Sequence, residues 1–428
     1  MSNSPETITI DPTSSDTRRK VILAGLIGNV MEWFDFAVYG YFASIIGTHF
    51  FPSENPVVSL IAAFGAFAAG FLVRPLGGLF FGRIGDLLGR NRAMMLSVMA
   101  MAVPTVLIGL LPTYQSIGIA APILIVILRI IQGLSVGGEY TSSLVFLAEH
   151  AKPGHRARTA FWGMWGATAG ILLGSAIGAL ISGMLSEEQL LNWGWRVPFL
   201  FGALVAGIGY LIRRNIHASR PEGTSTSPVK DTFGVYLGDV VKVALLNIGF
   251  GVGFYAAFVY AVTYIKTVDK LPEKIALDLN TMSMVLLLCF IPLASWLSDR
   301  IGRKPLMVMG SAILTFAAIP LFHLLHSTDI LMIFMGEVGF VLAVALMAGG
   351  IVAANVELIP SAVRCTGLAF AYNASIGFFG GTTPLISAWL INSTGDPISP
   401  AYWVTGAGAV SLLTALFLIA ETKDRVLD

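Results

Sequence analysis

Charged residues are scarce in this sequence. Asp, Glu, Lys and Arg make up 12% of the 428 residues, about half of their share in an average soluble domain, whereas 55% of the residues are hydrophobic. The formal net charge is only +1, so the chain has neither a basic stripe for nucleic acid nor an acidic tail. This composition excludes water as the solvent for most of the folded surface.

Cysteines and nucleotide-binding motifs are also scarce. Cys289 and Cys365 lie far apart, and no Cys/His spacing predicts a metal site, so we expect buried free thiols and no cofactor. The sequence has no Gly-x-x-x-x-Gly-Lys-Ser/Thr loop, which argues against ATP-driven pumping. His323 and His326 have no evident acidic or cysteine partner, so an intramembrane enzyme is not favoured.

Long apolar segments fill the chain instead. Twelve of them cover about 21–46, 57–82, 93–112, 120–147, 159–184, 195–213, 240–265, 280–298, 305–325, 330–357, 366–391 and 400–420. A bilayer core takes roughly 20 apolar residues per helix. The predicted fold is therefore an all-α membrane protein with twelve transmembrane helices. The first segment lacks a small-residue cleavage site, so it is predicted to be retained.

The positions of the basic residues predict the orientation. Of 26 Lys and Arg residues, 20 fall in the loops that share a side with the N-terminus and 4 fall in the opposite loops. Cytoplasmic loops carry the excess of positive charge. Both termini are therefore predicted to be cytoplasmic, in a cell (inner) membrane.

A repeat divides the chain into two halves. The longest interior polar stretch predicts a linker at 215–239 between six-helix halves at 1–214 and 240–428. Asp86, Gly89 and Arg90 recur as Asp299, Gly302 and Arg303 at one offset of 213 residues, in equivalent loops. An Asp at a helix end can cap a neighbouring helix and pair with Arg, which would lock one side of the bundle. The alternative is that these residues only shape a tight loop. The predicted gating residues are Gly82, Arg83, Asp86, Gly89, Arg90, Asp299, Gly302 and Arg303.

The repeated loop resembles the cytoplasmic loop motif of the major facilitator superfamily. Further stretches resemble its metabolite:proton symporter family, which includes transporters of proline and betaine, α-ketoglutarate, citrate and shikimate. They lie at about 28–36, 129–140, 193–199 and 363–381, and include Glu32-Trp33-Phe34-Asp35 and Gly137-Gly138-Glu139-Tyr140. The resemblance implies a secondary transporter, not an enzyme, that moves a small carboxylate-bearing metabolite together with a proton by alternating access.

Predicted helix 1 carries two carboxylates in an apolar setting. Gly28, Glu32, Asp35 and Tyr39 follow spacings of four, three and four residues, so they share one helix face. Ionising both acids inside a bundle would be costly, so we expect at least one of them to bind and release a proton. Either acid is a candidate for this role. The alternative is that one is a structural hydrogen-bond partner at the membrane interface.

Predicted helix 4 carries a second polar stripe, which includes Arg129, Gln132 and Glu139. Ten residues of helix separate Arg129 from Glu139, about 15 Å, so each needs a partner elsewhere. The helix 1 carboxylates are the natural candidates for Arg129. The predicted proton-coupling residues are Glu32, Asp35, Arg129 and Glu139.

Other polar and aromatic residues inside the apolar segments are candidates for substrate contact. They are Tyr39, Arg74, Gln132, Tyr140, Trp162, Trp165, Tyr255, Tyr260, Asn355 and Asn373. Arg74 has the alternative of snorkelling or locking a loop, and tyrosines near helix ends have that of anchoring at the interface.

The predicted partners are a small-molecule substrate, protons and the lipid bilayer, with the chain acting as a monomer and binding no nucleic acid or metal. Three alternatives remain open at this stage. The chain could be a facilitator or exchanger without proton coupling, it could use sodium, or it could be a membrane sensor that does not transport. The sequence does not choose among the zwitterions and carboxylic acids carried by the family.

Overall fold

The computed structural model describes residues 15–213 and 225–427, which contain helices and no strand. The first half contains α1 (Ser15–Tyr41), α2 (Pro56–Leu72 and Arg74–Leu88), α3 (Arg90–Leu110), α4 (Ala120–Glu149), α5 (Arg156–Met184) and α6 (Val197–Arg213). The second half contains α7 (Leu237–Tyr255, Ala256–Tyr260 and Ala261–Thr267), α8 (Glu273–Ile301), α9 (Arg303–Phe316 and Ala318–Leu325), α10 (Ile330–Leu358), α11 (Arg364–Ser375, Ile376–Gly380 and Thr383–Thr394) and α12 (Pro400–Leu413 and Thr414–Leu418).

Most of these helices are long and apolar enough to cross a membrane. In the described part of the chain nine meet that condition alone, and the two pieces of α9, bent by 59°, make a tenth. The other two are α1, which begins in a charged stretch, and α6, which has 17 residues against the roughly 20 that span a bilayer core. The arrangement is consistent with the twelve predicted spans.

The predicted boundaries differ from the observed ones at several helix ends; α8, for example, begins at Glu273, seven residues before its predicted segment. The first apolar segment, predicted over 21–46, divides at Tyr41 and continues as the short helix Ala43–Phe50. α7 begins at Leu237, three residues before its predicted segment. Residues 215–224 of the predicted linker lie outside the described residues, and the short helix Pro228–Phe233 follows them. The predicted boundaries of the two halves stay a prediction.

Several helices are interrupted near their middle. α2 breaks at Val73, directly before Arg74 and Pro75, because proline has no N–H to donate and its ring disfavours a helical residue before it. α7 and α11 contain single π-helical turns at Ala256–Tyr260 and Ile376–Gly380, an irregularity often found at functional sites. These breaks lie beside the polar residues of the bundle centre.

Glycines bring α2 into direct contact with both halves. A Cβ at Gly77 would lie 1.9 Å from the carbonyl oxygen of Leu134 in α4, and one at Gly82 would lie 2.7 Å from Cα of Thr366 in α11. No other residue fits without displacing backbone. α2 is therefore packed tightly between its own half and the opposite one.

The first and the last helix place the two ends of the described chain on the same side of the bundle. α1 begins and α12 ends there, together with the ends of α2, α4, α8 and α10 and the starts of α3, α5, α9 and α11. We call this side the terminal face. The contacts described below close the two halves against each other at this face.

Candidate functional site

Asp35 lies in a network of buried hydrogen bonds within the first half. Arg129 Nη1 and Gln132 Nε2, both from α4, donate to Asp35 Oδ2 over 3.2 and 2.8 Å. Gln132 also accepts from Arg129 Nη1 over 2.8 Å and donates to Thr105 Oγ1 in α3 over 2.8 Å. These side chains are almost completely buried. The helix 1 partner of Arg129 is therefore Asp35.

The ring of Tyr39 packs against the Arg129 guanidinium of this network. Its ring centroid lies 3.5 Å from Arg129 Cζ, and its hydroxyl donates to the carbonyl of Ala63 over 3.0 Å. Asp35 Oδ1 and Arg129 Nε and Nη2 have no hydrogen-bond partner among the described residues. The network therefore keeps one acceptor and one guanidinium edge unused.

Glu32 belongs to a different cluster. The step of three residues from Glu32 to Asp35 turns the side chains by about 60° around α1, enough to aim them at different helices. Glu32 is 1% exposed, and neither of its carboxylate oxygens has a hydrogen-bond partner among the described residues. Arg74 and Glu139 lie within its electrostatic range. The two carboxylates predicted to share one space are thus served by different arginines.

Arg74 is a core residue and does not snorkel. Its Cζ lies 3.9 Å from the ring centroid of Phe71, 4.6 Å from that of Phe36 and 5.6 Å from that of Trp33. The side chain is 1% exposed, and its Nε and Nη2 have no hydrogen-bond partner among the described residues. Cation–π contacts therefore fix the guanidinium while part of its donor capacity stays unused.

Three buried tyrosines lie in the same region as Glu32. The rings of Tyr140 in α4 and Tyr372 in α11 stack with centroids 4.7 Å apart, and Tyr255 in α7 meets Phe71 edge-on at 6.2 Å. All three lie within electrostatic range of Glu32. The Tyr255 hydroxyl lies beside Arg74 without a hydrogen bond of good geometry. Tyr372 was missed from the sequence, although it adjoins the predicted Asn373.

The other predicted residues form smaller groups. Glu139 accepts a hydrogen bond from Ser97 Oγ in α3 over 2.6 Å. Asn373 donates to the carbonyl of Gly137 over 2.7 Å, which joins the two halves. Asn355 and Asn247, a residue missed from the sequence, exchange hydrogen bonds of 2.9 and 3.2 Å inside the second half. The remaining three, Trp162, Trp165 and Tyr260, take part in ring contacts, with each other at 5.5 Å for the tryptophans and with Tyr264 at 6.1 Å for Tyr260.

Asp86, at the end of α2, caps a helix of the opposite half. Its carboxylate accepts hydrogen bonds from the backbone N–H groups of Cys365 and Thr366 at 3.0 and 2.9 Å, and from Thr366 Oγ1 at 2.7 Å. Arg90 pairs with the same carboxylate at 3.0 Å. A carboxylate at a helix N-terminus satisfies free N–H groups and the helix dipole together. We call this group the first lock.

Asp299, at the end of α8, makes the equivalent second lock. It accepts from the backbone N–H groups of Ala157 and Arg158 at the start of α5, both at 3.0 Å, and pairs with Arg303 at 2.8 Å. Gly89 and Gly302, which follow the two aspartates, have φ of +97° and +111°, a region that favours glycine. Arg83, predicted as a gating residue, is exposed on the surface of α2.

Two glutamates missed from the sequence complete the locks. Glu149 pairs with Arg90 at 3.2 Å and with Arg364 of the opposite half at 3.0 Å. Glu357 pairs with Arg303 at 3.1 Å and with Arg156 of the opposite half at 3.5 Å. A glutamate seven residues before an arginine occurs at both sites, at one offset of 208 residues. That second repeat is the signal that would have found them.

The comparisons with known proteins agree with this architecture. A sequence profile described as Major Facilitator Superfamily matches residues 25–382. The chain belongs to the Major Facilitator Superfamily. It is 37% identical over 427 residues to the glycine betaine/proline/ectoine/pipecolic acid transporter OusA of Dickeya dadantii, covering 96% of this chain and 84% of the relative. It is 35% identical over 425 residues to the proline/betaine transporter of Salmonella typhimurium, covering 96% and 85%.

Solved structures of the superfamily share the fold. The proton:xylose symporter XylE bound to 6-bromo-6-deoxy-D-glucose superposes with a TM-score of 0.80 at 19% identity, covering 96% of this chain and 98% of that one. FucP in its outward conformation gives 0.68 at 15% identity, covering 94% and 100%. The predicted fold and family are confirmed.

The C-terminal residues join the second lock. Glu421 accepts hydrogen bonds from the backbone N–H groups of Arg303 and Lys304 at 2.8 and 3.0 Å, and so caps α9. Thr422 Oγ1 donates to Glu357 over 2.6 Å. Partial burial raises the pKa of Glu421, but the four backbone N–H groups that donate to it outweigh burial and leave that pKa below its ordinary value. The tail therefore holds the start of α9 through a carboxylate.

Two expectations from the sequence are wrong: that His326 has no acidic partner, and that Cys289 is buried. His326 has an acidic partner, because Asp269 in the α7–α8 connection lies 2.6 Å from its Nδ1. Burial raises the pKa of Asp269, although hydrogen bonding to His326 opposes the shift. Cys289 is exposed because it lies on the outer side of α8, whereas Cys365 is buried beneath the first lock, as expected.

Proposed function

We propose that the chain is a proton symporter that carries a small zwitterion with one carboxylate, of the proline and betaine kind, across the cell (inner) membrane. The relatives named above are transporters of such compounds. The observation that carries the proposal is a set of buried polar groups that have no hydrogen-bond partner among the described residues: both oxygens of Glu32, Nε and Nη2 of Arg74, and the Tyr255 hydroxyl. Buried polar groups are normally satisfied, so such a set indicates a place where a polar ligand binds.

Asp35 is the proton-binding group in this proposal. As a carboxylate it is paired with Arg129 and Gln132, and a proton on it would remove its charge from that network. Arg129 would then lose its counter-ion inside the bundle, which is costly unless the surroundings rearrange. In this proposal, protonation of Asp35 therefore shifts the equilibrium between the conformations of the transporter.

The two locks are the gate in this proposal. Each joins an acidic helix end of one half to a helix N-terminus of the other, so both must separate when the halves rock apart. The substrate would bind between the halves, and rocking would expose it to either side. The Glu32 cluster suits this cycle because Glu32 and Arg74 come from the first half and Tyr255 from the second.

We assign the terminal face to the cytoplasm, with both termini there. The support is the distribution of Lys and Arg, 20 of 26 of which lie in the loops on that side. The chain acts as a monomer in this proposal.

Uptake into membrane vesicles tests the proposal. We expect an inward proton gradient to drive accumulation of labelled glycine betaine or proline, and an uncoupler to abolish it. Replacement of sodium is the control and is expected to change nothing. Uptake that continues after the uncoupler would contradict proton symport and favour a facilitator or exchanger, and dependence on sodium would replace the proton as the coupling ion.

A further inference from the structure

Glu32 and Arg74 are opposite charges that share one buried region and are not used by the locks. Neither oxygen of Glu32, and neither Nε nor Nη2 of Arg74, has a hydrogen-bond partner among the described residues. Both side chains are 1% exposed and lie within electrostatic range of each other. Each therefore has unused hydrogen-bonding capacity of a different sign.

The unused part of Arg74 has the geometry of a carboxylate site. Nε and Nη2 form one edge of the planar guanidinium, the edge that binds both oxygens of a carboxylate through parallel hydrogen bonds. The ring centroids of Phe71, Phe36 and Trp33 lie 3.9, 4.6 and 5.6 Å from Arg74 Cζ, and no group among the described residues accepts a hydrogen bond from that edge. Arg129 has the same free edge, but Asp35 already neutralises it. Arg74 is therefore an arginine whose free edge makes no hydrogen bond to a carboxylate among the described residues.

The surroundings of Glu32 suit a cation. Tyr140, Tyr255 and Tyr372 lie within its electrostatic range, and the first and last of these are stacked on each other. Aromatic faces attract substituted ammonium groups, which cannot donate enough hydrogen bonds to be bound by oxygens alone. A carboxylate among aromatic rings supplies both the charge and the surface that such a group requires.

We infer that Arg74 and Glu32 bind the two charged groups of the substrate. Arg74 binds the carboxylate of the substrate. Glu32, together with Tyr140, Tyr255 and Tyr372, binds its ammonium group. This inference rests on the proposed function and defines the substrate class. A zwitterion matches both charges. A simple carboxylic acid leaves Glu32 without a cation, and a dicarboxylic acid brings a second negative charge against it. The site therefore selects zwitterions over the organic acids carried by other members of the family.

A pair of isosteric probes separates charge from shape. Glycine betaine carries a trimethylammonium group, and 3,3-dimethylbutanoate carries a neutral trimethylmethyl group on the same carboxylate. Binding of both to the purified full-length chain is measured by calorimetry. We expect the wild-type chain to prefer glycine betaine at least about tenfold, since an ion pair and cation–π contacts are lost with the isostere. Glu32→Gln is expected to bring the ratio close to one by weakening glycine betaine alone.

Three further variants make the result specific. Glu32→Asp keeps the charge and is expected to keep the preference. Arg74→Gln is expected to weaken both probes at least about tenfold, because both carry the carboxylate. Glu337→Gln removes a different buried carboxyl, one that accepts a hydrogen bond from Ser283 in the second half, and is expected to change neither. Thermal melting of each variant identifies those that fail to fold.

Two results would overturn the inference. One is a folded Glu32→Gln variant that keeps the wild-type preference or loses both probes equally, and the other is a folded Arg74→Gln variant that still binds 3,3-dimethylbutanoate normally. Either would leave the proposed function standing if proton-driven uptake of glycine betaine persists in the wild type. Wild-type chain that neither binds nor accumulates zwitterions would instead overturn the proposed function, and this inference with it.

Discussion

At the residue scale, the two acids of α1 have environments that suit different tasks. Asp35 accepts hydrogen bonds from Arg129 and Gln132, so its charge is already balanced within the protein. Glu32 has no hydrogen-bond partner among the described residues. A group that exchanges a proton must influence fixed neighbours, whereas a group that binds a ligand must keep its acceptors free. This contrast supports the proposed roles, in which Asp35 binds the proton and Glu32 contacts the substrate.

We predict that Asp35→Asn separates substrate exchange from proton-driven accumulation. Asn keeps the size of Asp and one carbonyl acceptor, but it does not bind and release a proton in the working pH range. The variant is expected to exchange labelled for unlabelled substrate, because exchange moves no net proton. Its accumulation ratio is expected to fall to about one, since no gradient drives it. Both quantities are measured in vesicles with and without a proton gradient.

Glu32→Gln is the matched control for this prediction. It removes the acid one turn away and is expected to weaken substrate binding while leaving any remaining uptake dependent on the proton gradient. Normal accumulation by Asp35→Asn together with uncoupled exchange by Glu32→Gln would move the proton to Glu32. Normal accumulation by both variants would show that α1 does not carry the coupling.

At the element scale, each lock depends on a helix end that meets a helix start. Asp86 and Asp299 were predicted from one repeat because the motif is compact and recurs at one offset. Their N–H partners at the start of α5 and α11 could not be predicted, because every residue except proline has a backbone N–H and the residue type does not mark the donor. Glu149 and Glu357 were missed for another reason, since the arginines that each of them pairs with lie far away in the sequence.

Inside the bundle, the partners of Arg129 and Arg74 could likewise be predicted only in part from the sequence. The spacing on α1 and α4 predicted that Arg129 needs a partner on helix 1, since a buried charge must be paired. It did not predict that Asp35 and Glu32 are served by separate arginines, because that depends on how α1 is rotated against α2 and α4. The aromatic environment of Arg74 likewise combines Trp33, Phe36 and Phe71 from two helices.

We predict that the C-terminal tail stabilises the second lock in a pH-dependent way. The pKa of Glu421 is lowered by folding, so its contribution is complete above the ordinary glutamate pKa, about 4.3, and is lost as pH falls through the lowered value. Glu421→Gln is therefore expected to lower the melting temperature near about pH 7, and this difference is expected to shrink at acidic pH. Melting curves of both proteins between about pH 3 and 8 measure the effect. A difference that grows towards acidic pH would contradict the assignment.

At the scale of the whole molecule, the two locks report on a single motion. They lie on one face and connect the same two halves, so separation of the halves breaks both. Cys365 is 1% exposed beneath the first lock, while the other cysteine, Cys289, lies on the outer surface of α8. With Cys289 replaced by serine, alkylation of Cys365 becomes a measure of how often the terminal face opens.

We predict that Asp86→Asn accelerates alkylation of Cys365 and slows transport while leaving substrate binding largely intact. The variant weakens charge-assisted hydrogen bonds to Cys365 and Thr366, a loss of about 2 kcal/mol that corresponds to roughly 30-fold more frequent opening. The rate of maleimide labelling in the Cys289→Ser background measures it. Asp299→Asn, which leaves the residues around the thiol unchanged, is expected to act in the same direction. Acceleration by Asp86→Asn alone would indicate local loosening instead of movement of the halves.

The two locks give each half both members of a complementary pair. The first half supplies both a capping carboxylate, Asp86, and the helix start that Asp299 caps, and the second half supplies the same two parts. A surface that carries both members of a complementary pair satisfies the condition for an isologous contact about a two-fold axis. When the two halves are produced as separate chains, homodimers of either half will therefore compete with the native pairing, and the covalent link between the halves removes that competition.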